Sequence, residues 1–335
     1  MTTGMRARIE AREFVLTAEI VPPLSAAPDR LLAEAALLRG RVDAINVTDA
    51  ASGRTTMSSY AAAAILAAHG YEPILQATCR DRNRIALAGD LLGAAAQGVR
   101  NVLILHGDDP RGGDQPDAKP VFDLNSRELM ALVRRMTESA ELPSGRKIDP
   151  PPALFIGGAD VPQDPGPVFS AQGLMGKADA GAGFVQTQFC FDLGVARRYI
   201  ERLHSEGLTE RLGVIIGVGP IRSAKSARWM NENLFGVHVP DAVIARLESA
   251  ASPADEGVAI CAELIAGLRD IPGVAGAHIM APGGGTAAIA AVLDRLPDCH
   301  HPGRGRLRGP PRPPLGRPLR DKGGGVAWGG HAARP

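Results

Sequence analysis

Apolar residues fall into short β-branched runs separated by stretches with helical spacing, and this alternation repeats from residue 12 to residue 298. Eight runs predict strands: 14–21, 43–48, 73–78, 100–106, 153–158, 184–190, 212–218 and 275–281. The segments between them predict helices over 28–39, 58–69, 84–97, 126–139, 169–181, 192–206, 223–234, 240–250, 255–270 and 285–297. Pro28-Asp29 opens the first of these, and Ser126 is the expected N-cap of the helix over 126–139. Eight β/α units in this length predict one closed (β/α)8 barrel, a TIM barrel, over residues 1–301. An open doubly wound sheet is the alternative. It normally carries G-x-G-x-x-G after its first strand, and here that turn reads Val21-Pro22-Pro23-Leu24.

Composition narrows the function classes. A hydrophobic fraction of 45% supports a large packed core. A formal net charge of +1 gives no case for nucleic-acid binding. No apolar run approaches the ~20 residues that cross a bilayer. Met1 to Glu10 carries Arg6, Arg8 and Glu10 and no signal-peptide stretch, so a cytoplasmic protein is expected. Cys79, Cys190, Cys261 and Cys299 are scattered, which suggests neither a disulfide framework nor a metal site, zinc or iron–sulfur, of the chain's own. The near-zero charge hides an asymmetry: Pro302 to Pro335 is +7 and the remainder −6. Gly and Pro fill 16 of those 34 positions, so residues 302–335 are expected to form a disordered tail.

In such a barrel, chemistry gathers at the C-terminal strand ends. Strand 1 ends with Glu19, strand 2 with Thr48-Asp49, and strand 3 with Gln76, Thr78, Cys79, Arg80 and Asp81. Strand 4 ends with His106-Gly107-Asp108-Asp109, strand 6 carries Gln186, Thr187 and Gln188, and strand 7 ends Gly217-Val218-Gly219-Pro220. Each has a bland reading beside the functional one. Glu19 could pair with an arginine, Asp108 could only turn the chain, and inward glutamines could be core amides. Cys79 reads as a small buried hydrophobe, Gly217-x-Gly219 is a weak phosphate signal, and Cys299-His300-His301 is not read as a metal site.

Ordered blocks across residues 12–298 resemble the 5,10-methylenetetrahydrofolate reductases. Ala18-Glu19-Ile20-Val21-Pro22-Pro23 is similar to that family's first-strand motif, and Val47-Thr48 to its second. Thr78-Cys79-Arg80-Asp81-Arg82-Asn83 is similar to the third-strand signature of the acetogen-type and bifunctional methyltransferase-linked subgroup. Gly107-Asp108-Asp109-Pro110, Asp179-Ala180-Gly181-Ala182, Gln186-Thr187-Gln188-Phe189 and Met230-Asn231-Glu232-Asn233 follow in order.

The resemblance implies a flavin enzyme, with FAD or FMN reduced by NADH or NADPH or by a partner's electron carrier. The product would be 5-methyltetrahydrofolate, which serves one-carbon metabolism and methionine supply. It implies Glu19 as general acid for opening the substrate's imidazolidine ring, and Asp108 as the carboxylate that stabilises the iminium cation and binds the pterin. Gln188 would bind the pterin edge. Thr48, Asp49, Gln76, His106, Gly107, Asp108 and Lys177 would meet the cofactor, Lys177 at its phosphate. Gln76 and His106 stand where better-known bacterial enzymes have His and Arg. Ala224 replaces an aromatic, and Gly283-Gly284-Gly285 falls near a late arginine. A homo-oligomer is expected. Two alternatives stay open: a flavin and folate subunit that needs an iron–sulfur partner, and a non-enzymatic folate-binding paralogue.

Overall fold

The structure is a computed structural model that describes residues 4–166 and 169–296. Residues 302–335 and the Cys299-His300-His301 run lie outside the described residues. Eight parallel strands close into a barrel in chain order: β1 (Val15–Ile20), β2 (Ala44–Val47), β3 (Pro73–Thr78), β4 (Asn101–Leu105), β5 (Phe155–Asp160), β6 (Phe184–Phe189), β7 (Gly213–Val218) and β8 (Val274–Ile279). β8 pairs back onto β1, with Thr17 opposite His278, so no edge remains. The expected TIM barrel is therefore the fold found.

One helix was not foreseen. α1 (Met5–Glu10) precedes β1 and closes the floor of the barrel. Its short span carries too little period to show in the sequence. Met5 and Ile9 join Val15, Ala44, Ile74, Leu103, Phe184 and Ile215 in one apolar cluster inside the strands. A side chain at Gly213 would meet Ile9 Cγ2 at 2.5 Å, so glycine at the start of β7 makes room for this plug. Met5 N–H donates to Glu72 Oε1 at 2.8 Å, and Asn101 Nδ2 donates to the same oxygen at 3.0 Å, tying the plug to β4.

The outer layer comprises α2 (Asp29–Ala36), α3 (Ser59–Ala68), α4 (Arg84–Ala96), α5 (Ser126–Arg134), α6 (Gln172–Asp179), α7 (Leu193–Ser205), α8 (Ala224–Asn233), α9 (Asp241–Ser249), α10 (Pro253–Arg269) and α11 (Gly285–Arg295). Their apolar faces bury against the outward side of the strands in a second, larger cluster. α5 is capped one residue earlier than expected. Asn125, not Ser126, accepts from Glu128 N–H at 3.0 Å, and Glu128 Oε2 accepts in return from Asn125 N–H at 2.8 Å. The amide of Asn125 completes this reciprocal box, and Ser126 becomes the first helical residue.

Candidate active site

The barrel interior changes character above its apolar floor. Thr17 (β1), Asn46 (β2), Gln186 (β6) and His278 (β8) are all buried and meet across the lumen. Thr17 Oγ1 lies 2.9 Å from His278 Nδ1, and Gln186 Nε2 donates to Thr17 Oγ1 at 3.1 Å. Asn46 Nδ2 donates to Gln186 Oε1 at 2.5 Å and lies 3.4 Å from His278 Nε2. Burial pushes the His278 imidazole down to about 3, so the ring is neutral.

Glu19 stands on the same face of β1 as Thr17, two residues nearer the mouth. Part of its surface faces the opening, yet the surrounding walls strip away enough water to push its carboxyl up to about 7. No ion pair reaches it among the described residues, so the arginine partner that would make it structural is absent there. Its register partner on β2 is Asn46, and Thr48 lies two residues on, just past the end of that strand. Asn46 Oδ1 and Thr48 Oγ1 are buried without a hydrogen-bond partner. Tyr60, Asn101 and Thr137 also hold such atoms. Asn46 and Thr48 differ in standing on and just past the strand next to an unpaired, half-buried carboxyl.

The corner over β2, β3 and β4 is built differently. Asp49 Oδ1 accepts from Ser59 Oγ at 3.0 Å. Asp49 Oδ2 accepts from Thr78 N–H at 3.0 Å, from Thr78 Oγ1 at 2.9 Å and from Arg82 Nη1 at 3.2 Å. Asp49 N–H donates to Gln76 Oε1 at 3.3 Å. The buried Arg80 guanidinium forks onto Asp81 at 2.7 and 2.8 Å and also donates to the carbonyls of Ala50 and Asp108 at 3.3 Å each. Exposed Asp108 accepts from Ser52 N–H at 2.7 Å, and Asp114 accepts from Thr55 N–H at 3.0 Å. These carboxylates clasp the loop after β2 to the loop after β4.

The glycines at the strand ends serve close packing. A side chain at Gly107, whose φ is +98°, would meet Arg80 Cβ at 2.8 Å and Thr78 Cβ at 3.1 Å. At Gly217 it would meet Thr187 O at 2.3 Å, and at Gly219 Met280 O at 2.1 Å. At both positions neighbouring backbone occupies the space a side chain would take.

The other residues expected at a site are spread around the mouth. Exposed His106 stacks on Phe122 with ring centroids 4.4 Å apart. Lys177, from α6, donates to Ala159 O and lies 3.8 Å from Asp160 Oδ1 at the end of β5. Gln188 Oε1 accepts from Phe189 N–H at 3.0 Å, at a register shift between β6 and β7. Gln186 is the satisfied inward amide that its bland reading described. Cys79 is buried, and desolvation pushes its thiol up to about 11, so it stays protonated. No group of three or more His, Cys, Asp or Glu among the described residues could hold a metal.

A cavity of about 530 Å3 opens over the ends of β6, β7 and β8. Phe189, Phe191 and Trp229 give it aromatic walls, and Arg222 and Lys225 give it two cations. A smaller cavity of about 270 Å3 lies beside Asp49, Arg80 and Arg82. Glu19 lines neither.

The family model for methylenetetrahydrofolate reductase matches residues 4–297. The chain belongs to the methylenetetrahydrofolate reductase family. It is 27% identical over 223 residues to methylenetetrahydrofolate reductase 2 of Schizosaccharomyces pombe, covering 64% of this chain and 33% of that protein. It is 26% identical over 199 residues to a probable methylenetetrahydrofolate reductase (NADPH) of Caenorhabditis elegans, covering 58% of this chain and 27% of that protein. The matched region thus spans about a third or less of those relatives. Among solved structures, an uncharacterised Clostridium thermocellum protein that binds two copies of 5-methyl-5,6,7,8-tetrahydrofolic acid superposes with a TM-score of 0.56 at 13% identity. That superposition covers 87% of this chain and 96% of that one. DmoA from Hyphomicrobium sulfonivorans superposes with a TM-score of 0.51 at 12% identity, covering 84% and 87%. These two likenesses show the fold.

Within this reductase-family barrel, three interior residues escaped the sequence reading: Thr17, Asn46 and His278. His278 is the single polar residue of its run, whereas Thr17 shares its run with Glu19 and Asn46 shares its run with Asp43 and Thr48, so the available signal is weak. A lone polar residue on the lumen face of a strand needs a partner from another strand, and only the closed barrel identifies that partner. No helix among the described residues is long and apolar enough to cross a membrane.

Proposed function

We propose that this chain is a flavin-dependent reductase that converts 5,10-methylenetetrahydrofolate to 5-methyltetrahydrofolate, with NADH, NADPH or a protein electron carrier as donor. The observation that carries the reading is Glu19. It is an unpaired carboxyl under the mouth, and desolvation pushes it up to about 7. A carboxylic acid that keeps its proton near neutral pH suits a reaction that begins by protonating a ring nitrogen.

The residues present fit a flavin at its ring edge. Thr48 offers a buried hydroxyl without a partner, and a hydroxyl can both donate and accept. With Thr48, Gln76 and His106 would hold the cofactor near the ends of β2, β3 and β4, and Lys177 would neutralise a phosphate. When bound, the flavin supplies the hydride that reduces the methylene carbon.

The protein's own part is to bind, protonate and stabilise. Glu19 gives its proton to the substrate nitrogen as the C–N bond opens, leaving a cationic iminium and a carboxylate. Asp108 stabilises that cation from the end of β4. Gln188 pairs with the pterin edge through its amide. The cavity walled by Phe189, Phe191 and Trp229 suits an aromatic ring, and Arg222 and Lys225 suit a glutamate carboxylate. The Clostridium thermocellum barrel of the same fold binds two copies of 5-methyltetrahydrofolic acid, which supports folate as the ligand class. The third-strand run Thr78 to Asn83 favours the acetogen-type subgroup.

The test is direct. The purified chain is mixed with FAD or FMN, reduced anaerobically with NADH or NADPH, and given 5,10-methylenetetrahydrofolate. Flavin bands that bleach and then return, with 5-methyltetrahydrofolate formed, support the reading. Flavin that is bound and reduced but never reoxidised by the folate overturns it.

A further inference from the structure

Four buried side chains form a closed ring below Glu19, and their donors and acceptors can be counted. The neutral imidazole of His278 has one donor and one acceptor, and Asn46 Nδ2 carries two protons. One arrangement satisfies every contact. His278 Nδ1–H and Gln186 Nε2 both donate to Thr17 Oγ1, and Asn46 Nδ2 donates to Gln186 Oε1 and His278 Nε2. With both amides turned over, either His278 tautomer loses one contact: with Nε2–H the single Thr17 hydroxyl proton faces two acceptors, and with Nδ1–H the Asn46 oxygen faces the unprotonated His278 Nε2. Amide orientation is assigned from such networks, and this one fixes Asn46 with both protons engaged.

That leaves Asn46 Oδ1 as the free member, buried and without a partner. Its strand neighbour in register is Glu19. Neighbouring strands run about 4.8 Å apart, so a rotamer turn of Glu19 or a single water spans the two groups. An amide oxygen is a pure acceptor. Facing a carboxyl, it favours the protonated form, which has a proton to donate, over the carboxylate, which has none.

We propose that Asn46 is a positioning residue that holds the proton on Glu19, with the Thr17–Gln186–His278 ring fixing its Oδ1 toward that carboxyl. The proposal rests on the reading of Glu19 as proton donor and goes beyond it by naming what keeps the donor loaded. The groups facing Glu19 agree with it. β2 sets the neutral Asn46 beside it in register, the buried Thr17, Gln186 and His278 of the ring are neutral, and no charged side chain is among the causes that shift the carboxyl. After each proton transfer the same oxygen would favour uptake of the next proton, since the charged carboxylate faces an acceptor.

The experiment titrates Glu19 directly in the full-length protein. Glutamate labelled with 13C at the carboxyl is incorporated, and the Glu19 resonance is assigned by its loss in Glu19→Gln. The wild type is expected to titrate near pH 7. Asn46→Ala should lower the midpoint by about half a pH unit or more, because the acceptor is lost and water reaches the carboxylate. Asn46→Ser, which keeps an oxygen acceptor, should lower it less. If Asn46→Ala fails to fold, Gln186→Leu removes the acceptor that pins the amide and should shift the midpoint in the same direction. An unchanged or raised midpoint in a folded Asn46 variant overturns the proposal and leaves Asn46 a structural tie. A wild-type midpoint near that of an ordinary glutamate fails differently: it removes the loaded acid itself, and this proposal with it.

Discussion

Two corners of the barrel mouth carry polar residues and use them in opposite ways. Over β2, β3 and β4 the ionic groups are spent on one another. Asp49 holds Ser59, Thr78 and Arg82, Arg80 forks onto Asp81, and Asp108 holds the Ser52 amide. Over β1 and β2 groups are left over: the half-buried Glu19 carboxyl without an ion pair among the described residues, and the buried Asn46 Oδ1 and Thr48 Oγ1 without partners. A buried charge whose hydrogen bonds are complete is held in place, and removing one partner strands the others. A buried polar group without a partner costs stability, and a site that binds ligand gives it a use.

The largest test of that contrast is at the satisfied corner. Asp49→Ala removes a buried acceptor and strands Arg82 and the Thr78 amide. We expect a loss of about 3–5 kcal/mol in denaturant unfolding, and a loss under 1 kcal/mol would show that the corner is not held by its ionic groups.

Glu19→Gln should do the opposite, in a defined pH window. The folded carboxyl titrates near 7 and its ordinary value is 4.5. Between these values the folded state binds more protons than the unfolded state, so this group's contribution falls as pH rises through the window. The Gln variant should match the wild type at pH 4 and exceed it at pH 8. The ceiling is about 3 kcal/mol, discounted because Glu19 is partly open to solvent. Unfolding curves at the two pH values check the sign.

His278 carries the reverse dependence. Its folded value near 3 lies below the ordinary 6.5, so the unfolded chain takes up a proton that the buried ring refuses. Stability from this group is complete above pH 6.5 and falls as pH drops. His278→Gln should remove about 2 kcal/mol of the wild type's change between pH 7 and pH 5. An identical pH slope in the two proteins would mean that the ring is not neutral and buried.

The smallest stability effect is expected at Asp108. Asn keeps an oxygen for the Ser52 amide, so Asp108→Asn should change unfolding free energy by no more than ~0.5 kcal/mol. Folate turnover separates its two readings. A drop of 10²-fold or more supports a carboxylate that stabilises the cation, and unchanged turnover leaves only the clasp.

The barrel was legible because eight β-branched runs and their helical partners carry strong period, and only terminal residues shifted. β2 was expected over 43–48 and runs Ala44–Val47. The plug α1 was not legible, since six residues before the first strand give too little period and its function depends on a floor built by strands far apart in sequence. Glu19 stood out by its place before Pro22-Pro23, and the structure sets it on the same face of β1 as Thr17. The ring of Thr17, Asn46, Gln186 and His278 was not legible. Its members are separated by up to 261 positions and meet only when β8 closes onto β1. The run Thr78 to Asn83 stood out as a subgroup signature, and its Arg80, Asp81 and Arg82 prove to be paired within the fold.

The most direct test of the central claim separates the two half-reactions in Glu19→Gln. The flavin-loaded variant is first reduced by the nicotinamide donor and then mixed with 5,10-methylenetetrahydrofolate in a stopped-flow instrument. We predict flavin reduction at the wild-type rate and reoxidation by folate slowed by about 10²–10⁴-fold, the contribution of a general acid. Equal losses in both half-reactions, or reoxidation at the wild-type rate, would contradict Glu19 as the proton donor.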